Sequence, residues 1–320
     1  MATATIIDDG SASGSPRSAT IGETSTKSGA DERRAGWWFS APFLVLYLAF
    51  LVGPAIYGVV MSFSNATTLR PGLGSAAGWA NYREVFASSE FWNSMGHTLW
   101  FTVLTTPPLV ILAFVFAILA DRLRHGRGLA RFIFFAPYVL PVTSVTLIFT
   151  FLYAGEIGLI PTIFTVLGLE PPNLLGETSW AFISVAVLTV WWTIGFNFVV
   201  FLAGLQEVPR DVYEAAAVDG AKPGRTLWSV VLPLLRPTIV LVVMLQILAS
   251  LQVFNQMYLM TGGGPGTSTR PVMEFIYDSG FSDARAGFAA AATMVYFFAV
   301  LVISVIWYLL RRPARKGAGG

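Results

Sequence analysis

Three polar side chains at four-residue intervals, Thr189, Thr193 and Asn197, lie inside an otherwise apolar stretch of this 320-residue chain. On a helix that spacing places them on one face, with Phe196 beside them. A second apolar stretch carries Gln246, Ser250, Gln252 and Val253, with Asn255 and Gln256 further along. Hydroxyls and amides next to flat apolar faces suit an uncharged, hydroxyl-bearing solute, because they exchange hydrogen bonds with it and hold no charge that would trap it. Of the paired tryptophans Trp191 and Trp192, only one can share a face with Thr189, and Trp192 is the candidate lining residue. The competing role for all of these groups is helix-to-helix hydrogen bonding, at about 0.6 kcal/mol on average within membranes.

What is missing narrows the chemistry further. The chain has no cysteine, so thiol and zinc-thiolate chemistry are excluded, and His97 and His125 are its two histidines, too few for a multi-histidine metal site. No G-x-x-x-x-G-K-[ST] phosphate loop is present, and the glycine-rich Gly262-Gly263-Gly264-Pro265-Gly266 lacks the lysine such a loop needs. No catalytic group, cofactor or metal is therefore expected on this chain. The apolar stretches also lack internal Asp, Glu, Lys or Arg, which carriers driven by an ion or proton gradient usually hold at membrane depth. The reading is an uncharged solute path driven from outside the chain, with a stand-alone secondary transporter, a membrane scaffold and an exporter subunit as competitors.

These side chains must be positioned by membrane helices. The chain is 55% hydrophobic and 12% charged, with a mean hydropathy of +0.65, whereas soluble domains carry about 25% charged residues. A hydrocarbon core about 30 Å thick needs about 20 helical residues, and six stretches meet that length: Trp37–Phe63, His97–Ala120, Arg131–Tyr153, Trp180–Gly204, Pro237–Met260 and Ala286–Leu310. Prolines 54, 107, 108, 137 and 141 inside them predict kinked helices packed against protein. Sixteen of the 20 Lys and Arg lie in the terminal and even-numbered connecting segments, and Arg70, Arg83, Arg270 and Arg285 lie in the alternate loops. That asymmetry predicts both termini in the cytoplasm. The expected layout is an all-α, multi-pass integral membrane protein. A Ser/Thr/Gly/Ala-rich disordered tail covers 1–34, the membrane domain 35–312 and a basic tail 313–320.

The connection at 205–236 is longer and more patterned than the others. Pro209 suits the first turn of a helix, Asp211 favours its positive end, and the alanines at 215–217 are strong helix formers. Gly220 supplies a left-handed stop, and Pro223 opens a second short helix that ends near Pro233. Glu214-Ala215-Ala216, three residues, Gly220, nine residues, Val230, one residue, then Leu232-Pro233 resembles the EAA signature of the membrane subunits of binding-protein-dependent ABC importers. The one departure is Val230, where that family most often has Ile. Val208-Pro209, Val212-Tyr213, Phe254-Asn255 through Tyr258, Thr261 to Pro265, Tyr277, Phe281, Gly287 and Ala289 to Ala291 resemble its carbohydrate-uptake branch, which handles maltose, oligosaccharides or glycerol phosphate.

The resemblance implies a type I importer transmembrane domain with six helices and a similar second permease completing the pathway. It implies docking of the EAA loop on a cytoplasmic ATPase dimer that holds the ATP and magnesium, through Glu214, Ala215, Ala216, Asp219, Gly220 and Ala221. It also implies an extracellular binding protein that delivers a sugar or oligosaccharide, with glycerol 3-phosphate or a polyol as the alternative cargo. Positions matching the substrate-facing ones of maltose-type permeases are Thr189, Thr193, Phe196, Gln246, Ser250 and Val253.

Overall fold

The computed structural model describes residues 28–123, 125–155 and 157–311. Most of the expected tail at 1–34 and all of 313–320 lie outside the described residues. The chain divides into two units, the first ending at Ile56 and the second beginning at Tyr57. In the first unit a helix runs Ser28–Tyr47, starting inside the segment read from composition as tail. One π turn follows at Leu48–Val52, where the Gly53 N–H bonds the Leu48 carbonyl. Pro54, with no N–H to give, explains the slip in hydrogen-bond register there. The membrane-length helix is Gly36–Ser62.

The second unit holds the rest of the bundle. Its second span, Ser89–Asp121, stays one 33-residue helix through Pro107 and Pro108. The Ser88 hydroxyl caps it by accepting from the Phe91 N–H at 3.2 Å. The fourth and sixth spans are Thr178–Glu207 and Ala286–Arg311. With the first span these make four helices among the described residues that are long and apolar enough to cross a membrane, and the count rises to six when each of two bent helix pairs is taken as one span.

The bent pairs correct two expectations. The stretch 131–153 was expected to be one kinked helix but is two, Arg127–Val139 and Val142–Tyr153, at 91° to each other. Leu140 between them is extended, the conformation a following proline enforces, and its freed carbonyl accepts a bond from Trp192 Nε1 at 3.2 Å. The fifth span was expected to run to Met260, but its helix is Arg236–Leu251, bent 68° from Pro223–Leu234. The chain is irregular at Gln252–Phe254 before a short helix at Asn255–Thr261. No glycine or proline marks that break. The Tyr296 hydroxyl of the sixth span takes up the Leu251 carbonyl, so packing imposes the break and satisfies it.

Three buried clusters hold the second unit together. One joins Leu109, Ala113 and Ala117 of the second span to Phe198, Phe201 and Leu205 of the fourth and Val242 of the fifth. Another joins Phe101, Val145, Val185, Leu188 and Met257. The third fastens Val85 and Phe91 to Phe275, Ala291 and Tyr296. Gly195 permits a close approach of the fourth span to the third, since a Cβ there would lie 2.1 Å from the Phe134 carbonyl oxygen. At one end, Arg285 pairs with Glu84 at 2.6 Å, Arg270 with Glu90 at 2.8 Å and the Ser268 hydroxyl with that of Thr178, tying the connection between the fifth and sixth spans to the first connection and to the starts of the second and fourth spans. At the other end Arg131 donates to Gln206 at 2.9 Å.

Candidate solute cavity and coupling loop

All nine residues expected to line a solute path surround one cavity of about 340 Å³: Thr189, Trp192, Thr193, Phe196, Asn197, Gln246, Ser250, Gln252 and Val253. The wall has no Asp, Glu, Lys or Arg. Thr189, Asn197, Gln246, Ser250 and Val253 are buried, Trp192, Thr193 and Phe196 half-buried, and Gln252 exposed. The fourth span positions its residues by the four-residue repeat, and the irregular 252–254 segment turns Gln252 and Val253 inward. Non-helical backbone at membrane depth is tolerated where it borders protein or a wet cavity.

The polar groups form a network across three spans. Asn197 Nδ2 donates to Gln246 Oε1 at 2.8 Å, Gln246 Nε2 donates to Ser250 Oγ at 3.1 Å, and Ser250 Oγ lies 3.1 Å from Thr105 Oγ1. Ser250 and Gln246 therefore bond helix to helix as well as bordering the cavity. Thr193 Oγ1 donates to the Thr189 carbonyl at 2.7 Å, which leaves its lone pairs to accept from a guest. Asn197 Oδ1 is buried with no protein partner. Trp191 lies outside this cavity and packs on Phe149 at 5.2 Å, so Trp192 is the tryptophan that shares the polar face.

Sequence reasoning missed part of the wall. Tyr138 enters from the helix before the Pro141 break, 5.5 Å from the Phe196 ring and 6.4 Å from Trp192. The signal available was Pro137 and Pro141 flanking it. Phe101 and Phe254 also line the cavity; Phe101 does not stand out from the 25 phenylalanines of the chain, and Phe254 was noted for the 254–258 resemblance but not as a wall residue. Thr105 was missed as a network member because its partner lies 145 residues away.

The loop is a helix at Arg210–Val218, a tight turn, and helical segments from Pro223 to Leu234. Its stop is a Schellman turn: Gly220 N–H bonds the Ala217 carbonyl at 3.0 Å and Ala221 N–H bonds the Ala216 carbonyl at 2.9 Å, with Gly220 at φ +72°. Glu214, Ala215, Asp219 and Gly220 are exposed and Ala221 is half-buried. Ala216 is buried and faces its own chain, so within the expected docking set it packs the loop down rather than forming the outer face. Val218, at 89% exposure, supplies apolar surface on that outer face. Beneath the loop, Tyr213, Ala217, Leu227 and Asp121 border a cavity of about 500 Å³. Burial, reinforced by Asp121, pushes the Tyr213 hydroxyl pKa up.

At the opposite end lies a charged cluster that the sequence did not single out. Arg270 reaches Glu90 at 2.8 Å and Asp278 at 3.8 Å, and its carbonyl meets His97 Nδ1 at 3.2 Å. Glu274, four residues from Arg270 and from Asp278 in sequence, is 2% exposed, and its Oε2 has no hydrogen-bond partner. Burial, with a further contribution from Asp278 and opposed by Arg270, pushes its carboxyl up to about 7.

A bundle of apolar crossings around an uncharged cavity, with a rigid helical loop at one end, defines a membrane permease. The chain belongs to the binding-protein-dependent transport system inner membrane component family, whose model matches residues 72–316, and it is a multi-pass component of the cell membrane. It is 30% identical over 284 residues to the trehalose/maltose transport system permease protein MalF of Thermococcus litoralis, covering 89% of this chain and 96% of that one. It is 32% identical to the sulfoquinovosyl glycerol transport system permease protein SmoG of Agrobacterium fabrum, over 85% of this chain and 88% of that one. Among solved structures, a chain of a bacterial alginate ABC transporter, crystallised with an alginate pentasaccharide-bound periplasmic protein, shares the fold. The TM-score is 0.79 at 21% identity, covering 91% of this chain and 99% of that one.

Proposed function

We propose that this permease forms half of the translocation pathway of an ATP-driven importer for an uncharged sugar or oligosaccharide. A second permease completes the path, an extracellular binding protein delivers the solute, and a cytoplasmic ATPase dimer docks on the 205–236 loop through Glu214, Ala215, Val218, Asp219 and Gly220. ATP and magnesium belong to that ATPase. Both termini are cytoplasmic in this reading, in line with the Lys/Arg asymmetry.

The observation that carries it is the cavity wall: neutral hydrogen-bonding groups beside the rings of Tyr138, Trp192 and Phe196, with no charged side chain. Amides and hydroxyls match a sugar's hydroxyl rim, and aromatic faces match its C–H faces. A phosphate monoester would meet no cation there, which weighs against glycerol 3-phosphate although sn-glycerol-3-phosphate permeases are also among the relatives.

The test is uptake by proteoliposomes holding this chain, its partner permease and ATPase, and their binding protein. ATP-dependent accumulation of trehalose or maltotriose, without accumulation of sn-glycerol 3-phosphate, is expected. Accumulation of the phosphate alone, or uptake that continues without the ATPase, would overturn the reading.

A further inference from the structure

Phe254 borders two cavities. One is the mid-depth cavity, and the other, of about 550 Å³, opens beside Tyr57, Thr67, Arg70, Tyr277 and Phe281. Four rings meet here in unbroken contact, three of them, Phe254, Tyr277 and Phe281, on the wall of the second cavity. Phe254 stacks on Tyr258 at 5.2 Å and 19°, both lie 5.4 Å from Tyr277, and Tyr277 lies 5.0 Å from Phe281.

None of the four rings belongs to the three buried clusters that hold the unit together. Phe281 is 68% exposed and Tyr258 39%. The row lies toward the end of the bundle away from the coupling loop, where the Arg270–Glu90 pair ties the same connection to the second span.

We propose that this row is a stacking lane on which the pyranose rings of an incoming glycan slide before they reach the mid-depth cavity, with Phe254 as the divider between the two. The proposal deepens the sugar-import reading and rests on it. A pyranose offers an apolar C–H face with a rim of hydroxyls. Ring-on-ring contact takes the face without fixing a register, while Thr67, Arg70 and the tyrosine hydroxyls can take the rim. Stacking is weakly directional, so a sugar held this way can move on, as conduction through a pathway requires. The lane adjoins the neutral cavity at Phe254, which commits the groove to the transported solute. A helix of the second permease is the competing occupant.

The experiment uses the assembled importer in proteoliposomes. Because the native chain has no cysteine, Tyr277→Cys, Phe281→Cys and Thr193→Cys each give this chain one thiol for a membrane-impermeant maleimide, read as a mass shift. Labelling of the first two is expected, slowed about tenfold by saturating trehalose or maltotriose and unchanged by sn-glycerol 3-phosphate.

No labelling at 277 and 281 would assign the row to the partner permease and overturn the lane. Labelling that neither sugar slows, or that sn-glycerol 3-phosphate slows equally, would also overturn it. Protection at 193 without protection at 277 and 281 would sink the lane and leave the import reading standing. Protection at none of the three would remove both. In uptake assays Tyr277→Ala should raise the KM for the protecting sugar about tenfold, and Tyr277→Phe, which keeps the ring, should not. Equal KM for both variants would contradict a stacking role.

Discussion

The 205–236 loop, the proposed coupling element, and the mid-depth cavity draw on the same two spans, the fourth and the fifth, and hold themselves together in opposite ways. The loop's stop is made of bonds that reach three to five residues along the chain, such as Gly220 N–H to the Ala217 carbonyl and Ala221 N–H to the Ala216 carbonyl, so it can move as a stiff body. The cavity is made of bonds that cross spans: Asn197 to Gln246 over 49 residues, Trp192 to the Leu140 carbonyl over 52, and Thr105 to Ser250 over 145. Displacing one span must stretch or exchange those bonds. A rigid lever attached to a deformable chamber is the arrangement that alternating access needs.

Four substitutions break or sharpen that contrast. The largest effect is expected for Gly195→Ala, whose Cβ would press to 2.1 Å from the Phe134 carbonyl oxygen. Forcing the fourth span off the helix that carries Tyr138 should cost about 3 kcal/mol, read as a lower unfolding temperature in detergent and loss of uptake. Next, Gln246→Leu strands the Asn197 amide and removes a donor to Ser250. A loss of about 2 kcal/mol is expected, with cavity function impaired and ATPase recruitment intact. If uptake and stability are unchanged, the cross-span network does not hold the chamber.

Gly220→Val forces a β-branched residue to φ +72° and should cost about 1–2 kcal/mol. Here the pattern should invert, with ATPase recruitment or coupling lost and sugar protection of Thr193→Cys preserved. The smallest effect is expected at Glu274, whose carboxyl rises from 4.5 to about 7 in the folded chain. A group that binds its proton more tightly when folded adds stability that is complete below its unfolded value and is lost as pH rises through its folded one. Wild-type stability should fall by about 1 kcal/mol between pH 6 and pH 8 from this source. Glu274→Gln should flatten that slope, while Glu90, His97, Arg270 and Asp278 around it stay unchanged. A slope that survives the substitution would assign the pH response to another group.

The same contrast explains what was legible in the sequence. Pro209, Asp211, Gly220 and Pro223 determine the loop by local rules, and the structure follows them nearly residue by residue; the exception is Ala216, whose inward orientation depends on what lies beneath the loop. The four-residue repeat placed Thr189, Thr193 and Asn197 on one face, and all nine expected wall residues meet at one cavity. Tyr138 and Phe101 were invisible because tertiary contacts deliver them, and Phe254 stood out in the 254–258 segment but not as part of the wall. The break after Leu251 has no local breaker, and the Tyr296 hydroxyl that accommodates it comes from 45 residues further on.

The most direct test is the structure of the assembled importer trapped with ATP and vanadate in the presence of maltotriose. Density for at least one pyranose ring against Tyr138, Trp192 and Phe196, within hydrogen-bond reach of Thr193 or Asn197, is the expected result. A bound sugar lying wholly within the partner permease, with this chain's cavity closed, would contradict the account.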